Sequence, residues 1–476
     1  MSRILLIVPG SKTFYGEPRY PVSGLSMIGS VLLKAGHDVR ALDMRFSNIG
    51  EDNLFSEIDT FQPSYVGFTA TNWDILETVR LAKKIKSVRP ATEIILGGPQ
   101  PTLCPAETLQ YSPVDVVVRG EGEVTILKLI SALEQGSSLS EIEGLAYRNS
   151  AGIVEITGDR PLINDLSTLP WPAYELFDLS LYHAFGERRM GIISTRGCPY
   201  RCSFCVGRKV MGQRIRCRKP ADVVAEMTHW HNILGITHFC FVEDNLFGYP
   251  RHGDALLSEL KRVGLPVTYS LEVGVRADAL DDDICQRLKE TGCKTIAIGI
   301  ESVDDCVLQL VNKGEKIETI TRGIRSAKAA GLFVKGYFIV GLPGDTREKV
   351  EKAIAYANRE RIDMPRFALA QAFPNSDLAE WVKQNGTFYY DPYEYTLTHT
   401  DEFHNDVHFD MPGFTREEIW KAYVWAHNKA EEMSFKQALI HRFGETVGSI
   451  LNIFNNRLSR RIAIWMYQKK LLSLPK

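Results

Sequence analysis

The chain has 476 residues, of which 44% are hydrophobic, so it is long enough for about two to four domains with sizeable cores. Its 56 basic and 58 acidic residues leave a net charge of −2, which argues against a nucleic-acid partner. Nine cysteines are an odd number, and three of them crowd into one segment, which excludes a secreted disulfide framework. The first apolar run is strand-length rather than signal-length, and no run approaches the ~20 residues that cross a bilayer, so we expect a cytoplasmic protein.

Five apolar runs alternate with helical patterns in the first part of the chain, which predicts a parallel sheet covered on both faces. The predicted strands are Arg3–Val8, Val39–Asp43, Tyr65–Ala70, Glu93–Leu96 and Val114–Val118. Five such units predict a flavodoxin-like, doubly wound α/β domain over residues 1–140. Ligands of such sheets bind at the carboxyl ends of the strands.

The predicted strand ends of this domain are rich in Gly, Pro and Thr, and glycine lets backbone approach a ligand closely. A G-x-G-x-x-G motif does not occur there, so a dinucleotide is not indicated. A connector is predicted over residues 141–187. It begins with a hairpin pattern, Leu145–Arg148 and Ile153–Ile156, and continues with prolines and aromatics typical of a fixed linker.

Three cysteines at C-x3-C-x2-C spacing, Cys198, Cys202 and Cys205, follow a short apolar run that is predicted to be a buried strand. Closely spaced thiolates suit an iron–sulfur cluster or zinc. A structural zinc site would need a fourth ligand, for which Cys217 is the candidate. The spacing is unusual for zinc and favours a cubane cluster with one open iron. The other cysteines are scattered and are interpreted as ordinary core or surface residues.

Strand-like and helix-like runs alternate again after the cysteines, and a polar cluster follows each strand. The predicted strands are Gly191–Thr195, His238–Val242, Thr268–Leu271, Thr295–Ile300, Val334–Val340 and Arg366–Ala370. Six such units predict a partial (β/α)6 TIM-type barrel over residues 188–378, with its active site at the carboxyl ends of the strands.

The cysteine loop, with Phe204 just before the third cysteine, resembles the radical S-adenosylmethionine superfamily. The resemblance implies that Cys198, Cys202 and Cys205 hold a [4Fe–4S] cluster whose open iron binds the amino and carboxylate groups of S-adenosylmethionine. Later strand-end motifs resemble those that surround this cofactor. The residues implied to bind S-adenosylmethionine are Phe204, Glu243, Asp244, Asn245, Arg276, Glu301, Ser302, Gly341 and Pro343.

The first domain resembles the cobalamin-binding domain that precedes the radical module in one subgroup of this superfamily. The residues implied to line the corrinoid are Pro9, Arg45, Thr69, Thr71, Gly97, Gly98, Gly120, Glu121 and Gly122. Many cobalamin proteins carry Asp-x-His-x-x-Gly after the second strand, but here Arg45 stands where the histidine would be. A guanidinium cannot ligate cobalt, so either the cobalt has no protein nitrogen below it or no cobalamin binds.

Residues 379–476 are predicted to be mainly helical, with one helix over Thr415–Met433. The segment Thr446–Lys476 contains no Asp or Glu and has a basic amphipathic pattern. Such a helix can pack on the barrel with a solvated basic face, or it can contact an anionic membrane.

The resemblance implies an enzyme that uses the cluster, S-adenosylmethionine and cobalamin to methylate an unactivated carbon of a small-molecule or lipid-like substrate. It implies an external one-electron reductant of the flavodoxin or ferredoxin type. One alternative keeps the cofactors but cyclises, contracts or joins carbon frameworks without methylation. Another is a non-enzymatic metal-binding protein. No general base can be named from the sequence, and the oligomeric state is open.

Overall fold

The computed structural model describes residues 1–10, 18–184, 187–394 and 407–443. Two seven-stranded sheets organise this part of the chain. None of its helices is both long enough and apolar enough to cross a membrane.

The first sheet has five parallel strands in the order β2-β1-β3-β4-β5, extended by an antiparallel hairpin, β6-β7. Its strands are β1 Arg3–Val8, β2 Asp38–Asp43, β3 Tyr65–Thr69, β4 Glu93–Gly97, β5 Val116–Val118, β6 Leu145–Arg148 and β7 Val154–Ile156. Its helices are α1 Ser23–Lys34, α2 Glu51–Phe61, α3 Ile75–Val88, α4 Pro99–Leu103, α5 Pro105–Tyr111 and α6 Gly122–Gln135. A separate apolar core covers each face, which confirms the doubly wound, flavodoxin-like fold.

The second sheet has the order β16-β15-β14-β13-β12-β9-β8, so six consecutive parallel strands form an open barrel. The six parallel strands are β9 Glu187–Ile192, β12 His238–Phe241, β13 Thr268–Val275, β14 Cys293–Glu301, β15 Phe333–Val340 and β16 Met364–Leu369, and the short strand β8 His183–Ala184 pairs antiparallel with β9 at one edge. Two short ribbons lie outside it, β10 Thr195–Arg196 with β11 Arg216–Cys217 and β17 Thr387–Phe388 with β18 Phe409–Asp410. The partial (β/α)6 barrel is thereby confirmed.

The helices of this second part follow its strands and connect them, and most of them contribute to the apolar core on one face of the sheet. They are α7 Gly207–Met211, α8 Pro220–Leu234, α9 Pro250–Val263, α10 Asp282–Glu290, α11 Asp305–Leu310, α12 Ile317–Ala329, α13 Arg347–Arg359, α14 Asp377–Asn385 and α15 Arg416–Phe443. Side chains alternate along the strands, as a half-buried sheet requires. In β15, Val334, Phe338 and Val340 face the apolar core. Lys335 and Tyr337 face the concave side, where both bond to Glu272 of β13, two strands away.

Two predicted strand ends were wrong by three residues or more, and both errors have a physical reason. The first barrel strand ends at Ile192 instead of Thr195, because Thr195 and Arg196 pair with the separate strand Arg216–Cys217. The third runs to Val275 instead of Leu271 through a register shift. Glu272 therefore lies within the strand and faces the barrel interior.

The predicted connector joins both parts of the molecule. Its hairpin extends the first sheet, so the sheet continues past residue 140. Tyr174 follows, and its hydroxyl donates to the Gly191 carbonyl of the barrel at 2.9 Å while it bonds Ser23 of α1 at 2.8 Å. Trp171 donates to Asp222 at 2.9 Å. These contacts hold the connector against both parts of the molecule, as expected for a fixed linker.

The described end of the chain is the helix α15, which runs from Arg416 to Phe443 and so continues ten residues beyond the predicted end at Met433. It packs against the outer barrel strands and the helix α13. The basic segment Thr446–Lys476, for which packing on the barrel or contact with an anionic membrane was predicted, lies outside the described residues.

Candidate active site

The cysteine loop is held at its base by the ribbon of Thr195–Arg196 and Arg216–Cys217. Gly197 turns the chain out of this ribbon with φ of 92°, and a Cβ there would lie 2.3 Å from the Arg214 carbonyl oxygen. Only glycine fits such a position. The Cys198 amide then donates to the Gly212 carbonyl at 3.1 Å, which closes the loop.

The three thiols of the loop lie near one another and none is in a disulfide. Desolvation raises the pKa of each, and neighbouring thiols add to the rise. Cys217 lies instead near Glu243, which adds to the rise that burial causes in its pKa. Within the described ranges, no group of three His, Cys, Asp or Glu side chains is placed to hold a single metal ion. Cubane ligands each bind a different iron, so the donor set fits a three-cysteine cluster rather than a zinc ion with Cys217.

The acidic motif after β12 divides into residues with different roles. Glu243 is buried and accepts from the Ser194 amide at 3.0 Å and the Ser194 hydroxyl at 2.6 Å. Burial raises its pKa to about 7. Asp244 lies beside the cysteine loop, where a Cβ on Gly207 would be 3.4 Å from both its Oδ2 and the Cys205 sulfur. Of the two acids in this motif, Asp244 therefore lies nearer the cluster position, whereas Glu243 braces the strand end.

Asn245 supplies an acceptor of the kind an ammonium group requires. Its side chain is 3% exposed, and its Oδ1 has no hydrogen-bond partner among the described residues. A buried, unpaired amide oxygen is costly unless a ligand satisfies it. The site therefore fits the amino group of S-adenosylmethionine at Asn245.

A buried charged network lies at the end of β14. Lys313 bonds Glu301 at 3.1 Å and lies 3.5 Å from Glu315, which in turn lies 3.5 Å from Arg276. Burial would lower the pKa of Lys313, but the two carboxylates outweigh it and hold the pKa above its ordinary value. The Arg276 guanidinium stacks 3.6 Å from the centre of the Tyr200 ring in the cysteine loop.

Sequence reasoning found Glu301 and Arg276 in this network but missed Lys313, Glu315 and Tyr200. Lys313 and Glu315 follow α11 in a loop that carries no motif, and only their alternating charges give a weak signal. The backbone of Glu301 has φ of 62°, in the left-handed region, beside a register shift in β14. Strain of this kind concentrates at functional sites.

The remaining predicted S-adenosylmethionine residues line the same edge of the barrel. Phe204 is half-buried against the barrel core. Ser302 is buried, and its hydroxyl accepts from the Asp304 amide at 3.2 Å. The turn containing Pro343 starts at Gly341, which has φ of 91° and donates from its amide to Asp345 at 3.0 Å.

The corresponding edge of the first sheet presents mainly backbone. Gly98 has φ of 105°, and a Cβ there would lie 2.7 Å from the Ala70 carbonyl and 2.8 Å from the Thr69 hydroxyl. A Cβ on Gly97 would meet only the Val118 carbonyl, at 3.6 Å, and one on Gly120 would meet nothing within 4 Å. This glycine surface is the kind of cradle that a flat macrocycle can lie on, so it fits cobalamin.

Arg45 does not extend freely from its loop. Its guanidinium donates to both oxygens of Asp43, at 2.9 and 2.5 Å, and Asp43 also accepts from the Tyr182 hydroxyl at 2.7 Å. Burial would lower the pKa of Arg45, but Asp43 outweighs it and raises the pKa. A charged arginine therefore occupies the position of the usual cobalt-ligating histidine.

Four other predicted cobalamin residues have defined places in the fold. Thr71 donates to Asp74 at 2.7 Å at the start of α3, Pro9 is buried directly after β1, and Gly122 begins α6. The Glu121 carboxylate is 3% exposed and is engaged by Arg196 and Arg216 from the cysteine-loop ribbon. Its side chain therefore turns toward the barrel, away from the glycine surface.

The two strand-end edges face each other. Asn375, after the last barrel strand, donates to the Leu103 carbonyl of the first part at 2.7 Å, and Lys209 donates to the Asn375 carbonyl at 2.6 Å. The glycine cradle and the cysteine loop are thus adjacent. A three-cysteine cluster loop on an open barrel, joined to a doubly wound domain with a second cofactor cradle, defines a cluster-dependent enzyme with two cofactor sites.

Comparison with known proteins agrees with this class. The Radical SAM superfamily matches residues 192–357 and the B12 binding domain matches residues 17–130. An uncharacterized methyltransferase of Pyrococcus horikoshii is 32% identical over 80% of this chain and 83% of its own length. The anaerobic magnesium-protoporphyrin IX monomethyl ester cyclase of Rubrivivax gelatinosus is 28% identical over 79% of this chain and 69% of its own.

A solved structure shares the fold. The radical S-adenosylmethionine methyltransferase TsrM from Kitasatospora setae, with cobalamin and a [4Fe–4S] cluster bound, superposes with a TM-score of 0.72 at 18% identity, over 91% of this chain and 89% of its own. The chain belongs to the cobalamin-dependent radical S-adenosylmethionine enzymes. It is therefore an enzyme whose cofactors are a [4Fe–4S] cluster, S-adenosylmethionine and cobalamin.

Proposed function

We propose that this enzyme methylates an unactivated carbon of a small polar molecule. The observation that carries the proposal is the direct apposition of the glycine cradle and the cysteine loop, joined through Glu121, Arg196 and Arg216. When bound, the cofactors supply hydrogen abstraction and a transferable methyl group. The protein positions the reactants and excludes water.

The residues of the barrel edge have different roles in binding these cofactors. Cys198, Cys202 and Cys205 hold the cluster. Asn245 accepts from the amino group of S-adenosylmethionine, and Lys313, already beside Glu301, provides the positive charge that its carboxylate needs. An external one-electron donor of the flavodoxin or ferredoxin type reduces the cluster.

If cobalamin binds in the cradle, Arg45 cannot be its cobalt ligand. Its guanidinium stays charged and is fixed by Asp43, so it offers no lone pair. Cobalamin held without a ligand from this position would suit homolytic transfer of a methyl group.

The concave face of the barrel favours a polar substrate over a lipid-like one. Lys335 pairs with Glu272 at 2.6 Å, and Glu272 accepts from the Ser270 hydroxyl at 2.8 Å. His238 bonds the same hydroxyl at 3.0 Å, and Cys240 lies beside it. A hydrocarbon placed against this pair would remove the remaining water from two charged side chains, which is unfavourable.

The match to the magnesium-protoporphyrin cyclase favours a second candidate, in which the same cofactors carry out cyclisation or another non-methylating radical reaction. The two candidates differ in where the methyl group of S-adenosylmethionine goes. In a methyltransferase it ends in the product, and in a cyclase it does not.

The test is an anaerobic incubation of holoenzyme with reductant, a small-metabolite extract and S-adenosylmethionine that carries a deuterated methyl group. We expect a polar product heavier by the labelled methyl group, formed together with 5′-deoxyadenosine and absent with Cys202→Ala. An unlabelled product with 5′-deoxyadenosine would identify the cyclase chemistry. A labelled product confined to a lipid extract would refute the polar substrate.

A further inference from the structure

Four buried charges join the two cofactor edges, and we call them the bracket: Glu121, Glu123, Arg196 and Arg216. Arg196 and Arg216 lie directly opposite each other in the ribbon that carries the cysteine loop. Arg196 bonds Glu121 at 2.8 Å and Glu123 at 2.6 Å, and Arg216 bonds Glu121 at 2.7 Å. All four side chains are at most 7% exposed.

The bracket connects the cradle segment of the first sheet to the cysteine loop, and it does so at the parts of both that lie nearest to the proposed cofactors. Glu121 stands between Gly120 and Gly122, in the cradle segment of the first sheet. Arg196 stands two residues before Cys198. The connector is held at the same point, because the Ile163 amide donates to Glu121 at 2.8 Å and its carbonyl accepts from Arg216 at 2.8 Å. A displacement of either loop would therefore break several charge-assisted hydrogen bonds at once.

The need to hold the two parts of the molecule together does not by itself explain a buried charge network. Taking four charges out of water is costly, and apolar residues of similar size commonly hold an interface at least as well. Guanidinium–carboxylate pairs do impose one relative geometry on their partners. Burial would raise the pKa of Glu121, but the two guanidiniums outweigh it and hold that pKa below its ordinary value, so the carboxylate stays charged.

We propose that the bracket sets the distance between the corrinoid and the cluster, and that Glu121 is its central positioning residue. The inference rests on the proposed locations of the two cofactor sites. Reacting groups must come within about 3–3.5 Å, and a misplacement of about 1 Å can slow a reaction about 100-fold. An enzyme that brings two cofactors to one substrate carbon therefore needs their separation to be fixed.

The experiment measures that separation magnetically. Reduced holoenzyme with cob(II)alamin contains two paramagnetic centres, whose dipolar coupling in the EPR spectrum falls with the cube of their distance. For Glu121→Gln we expect full iron and corrinoid content but a broadened distribution of couplings, together with about a 100-fold loss of labelled methyl transfer while 5′-deoxyadenosine still forms. Glu121→Asp, one methylene shorter, should give a narrow but shifted coupling.

Tyr174→Phe is the matched control, because it removes buried hydrogen bonds to Ser23 and Gly191 across the same junction without touching the bracket. It should keep the wild-type coupling. Wild-type coupling in both Glu121 variants, or an equal change in Tyr174→Phe, would overturn the positioning role. Wild-type protein that retains no corrinoid would overturn the cofactor placement itself, and the inference with it, before any variant is compared.

Discussion

The two strand-end edges bind their proposed cofactors in different ways. At the first sheet, the contact surface is backbone at Gly97, Gly98 and Gly120, and the nearby charges of Arg45 and Glu121 are committed to protein partners. At the barrel, side chains dominate: three thiols and a buried charged network. The difference follows from the ligands, because a wide macrocycle needs a surface free of side chains, whereas a small zwitterion needs charges of both signs.

From this difference we expect cofactor binding at the barrel edge to be lost when side chains are removed. At the edge of the first sheet, we expect it to be lost when side chains are added. The largest effect is expected for Cys202→Ala, which should abolish the cluster and 5′-deoxyadenosine formation while the corrinoid band remains. Iron analysis and absorption spectra measure both. Cys217→Ala is the control and should keep full iron content, and loss of iron in that variant would make Cys217 a ligand of the cluster and contradict the three-cysteine site.

Lys313→Met removes the cation from the buried network and leaves two carboxylates without their partner. We expect a loss of about 3–5 kcal/mol in the free energy of unfolding, measured by urea denaturation. Lys352→Met breaks an exposed pair with Glu348 and should leave the free energy of unfolding almost unchanged. Equal losses in the two variants would contradict the buried network.

Gly98→Ala and Gly97→Ala test the backbone cradle. Gly98→Ala forces a Cβ against the Ala70 carbonyl in a left-handed conformation and should cost about 1–3 kcal/mol of stability. Gly97→Ala has room in the protein and should lower corrinoid affinity with little change in melting temperature. Thermal unfolding and corrinoid retention separate the two effects. Unchanged corrinoid affinity in Gly97→Ala would show that the ligand lies elsewhere.

The last prediction is a pH dependence that arises from Glu243. Burial raises its folded pKa to about 7 from the ordinary value of 4.5, so its stabilising contribution is complete below about pH 4.5 and is lost as the pH rises through 7. Glu243→Gln cannot release a proton. Its stability relative to wild type should therefore rise across this range, by up to about 1.4 kcal/mol per pH unit. A difference that stays constant with pH would refute the raised pKa.

The two edges also differ in how much of them the sequence predicts. Local patterns are enough for the strands and for the cysteine loop, because alternation and short spacing lie within a few neighbouring residues. The bracket was missed, because Glu121 is 75 residues from Arg196 and 95 from Arg216. Only the acidic pair Glu121 and Glu123, set against basic residues on both sides of the cysteine loop, could have suggested it.

Glu121 also shows that strand-end position alone does not give the direction of a side chain. It occupies the segment of the proposed cradle, yet its side chain turns toward the barrel. Which way a side chain turns depends on what the second sheet places beside it, and no pattern within the first 140 residues contains that information. Lys313 was missed for a different reason, because its partners Glu301 and Glu315 lie close to it in the chain but the loop that carries it has no motif.

The measurement that tests the central claim most directly is anaerobic reconstitution of the full chain with iron, sulfide and hydroxocobalamin, followed by reductant and S-adenosylmethionine. The absorption spectrum reports both cofactors, and chromatography reports 5′-deoxyadenosine. We predict a cluster, a retained corrinoid band and 5′-deoxyadenosine in the same preparation. Zinc in place of iron, with no cleavage of S-adenosylmethionine, would contradict the account.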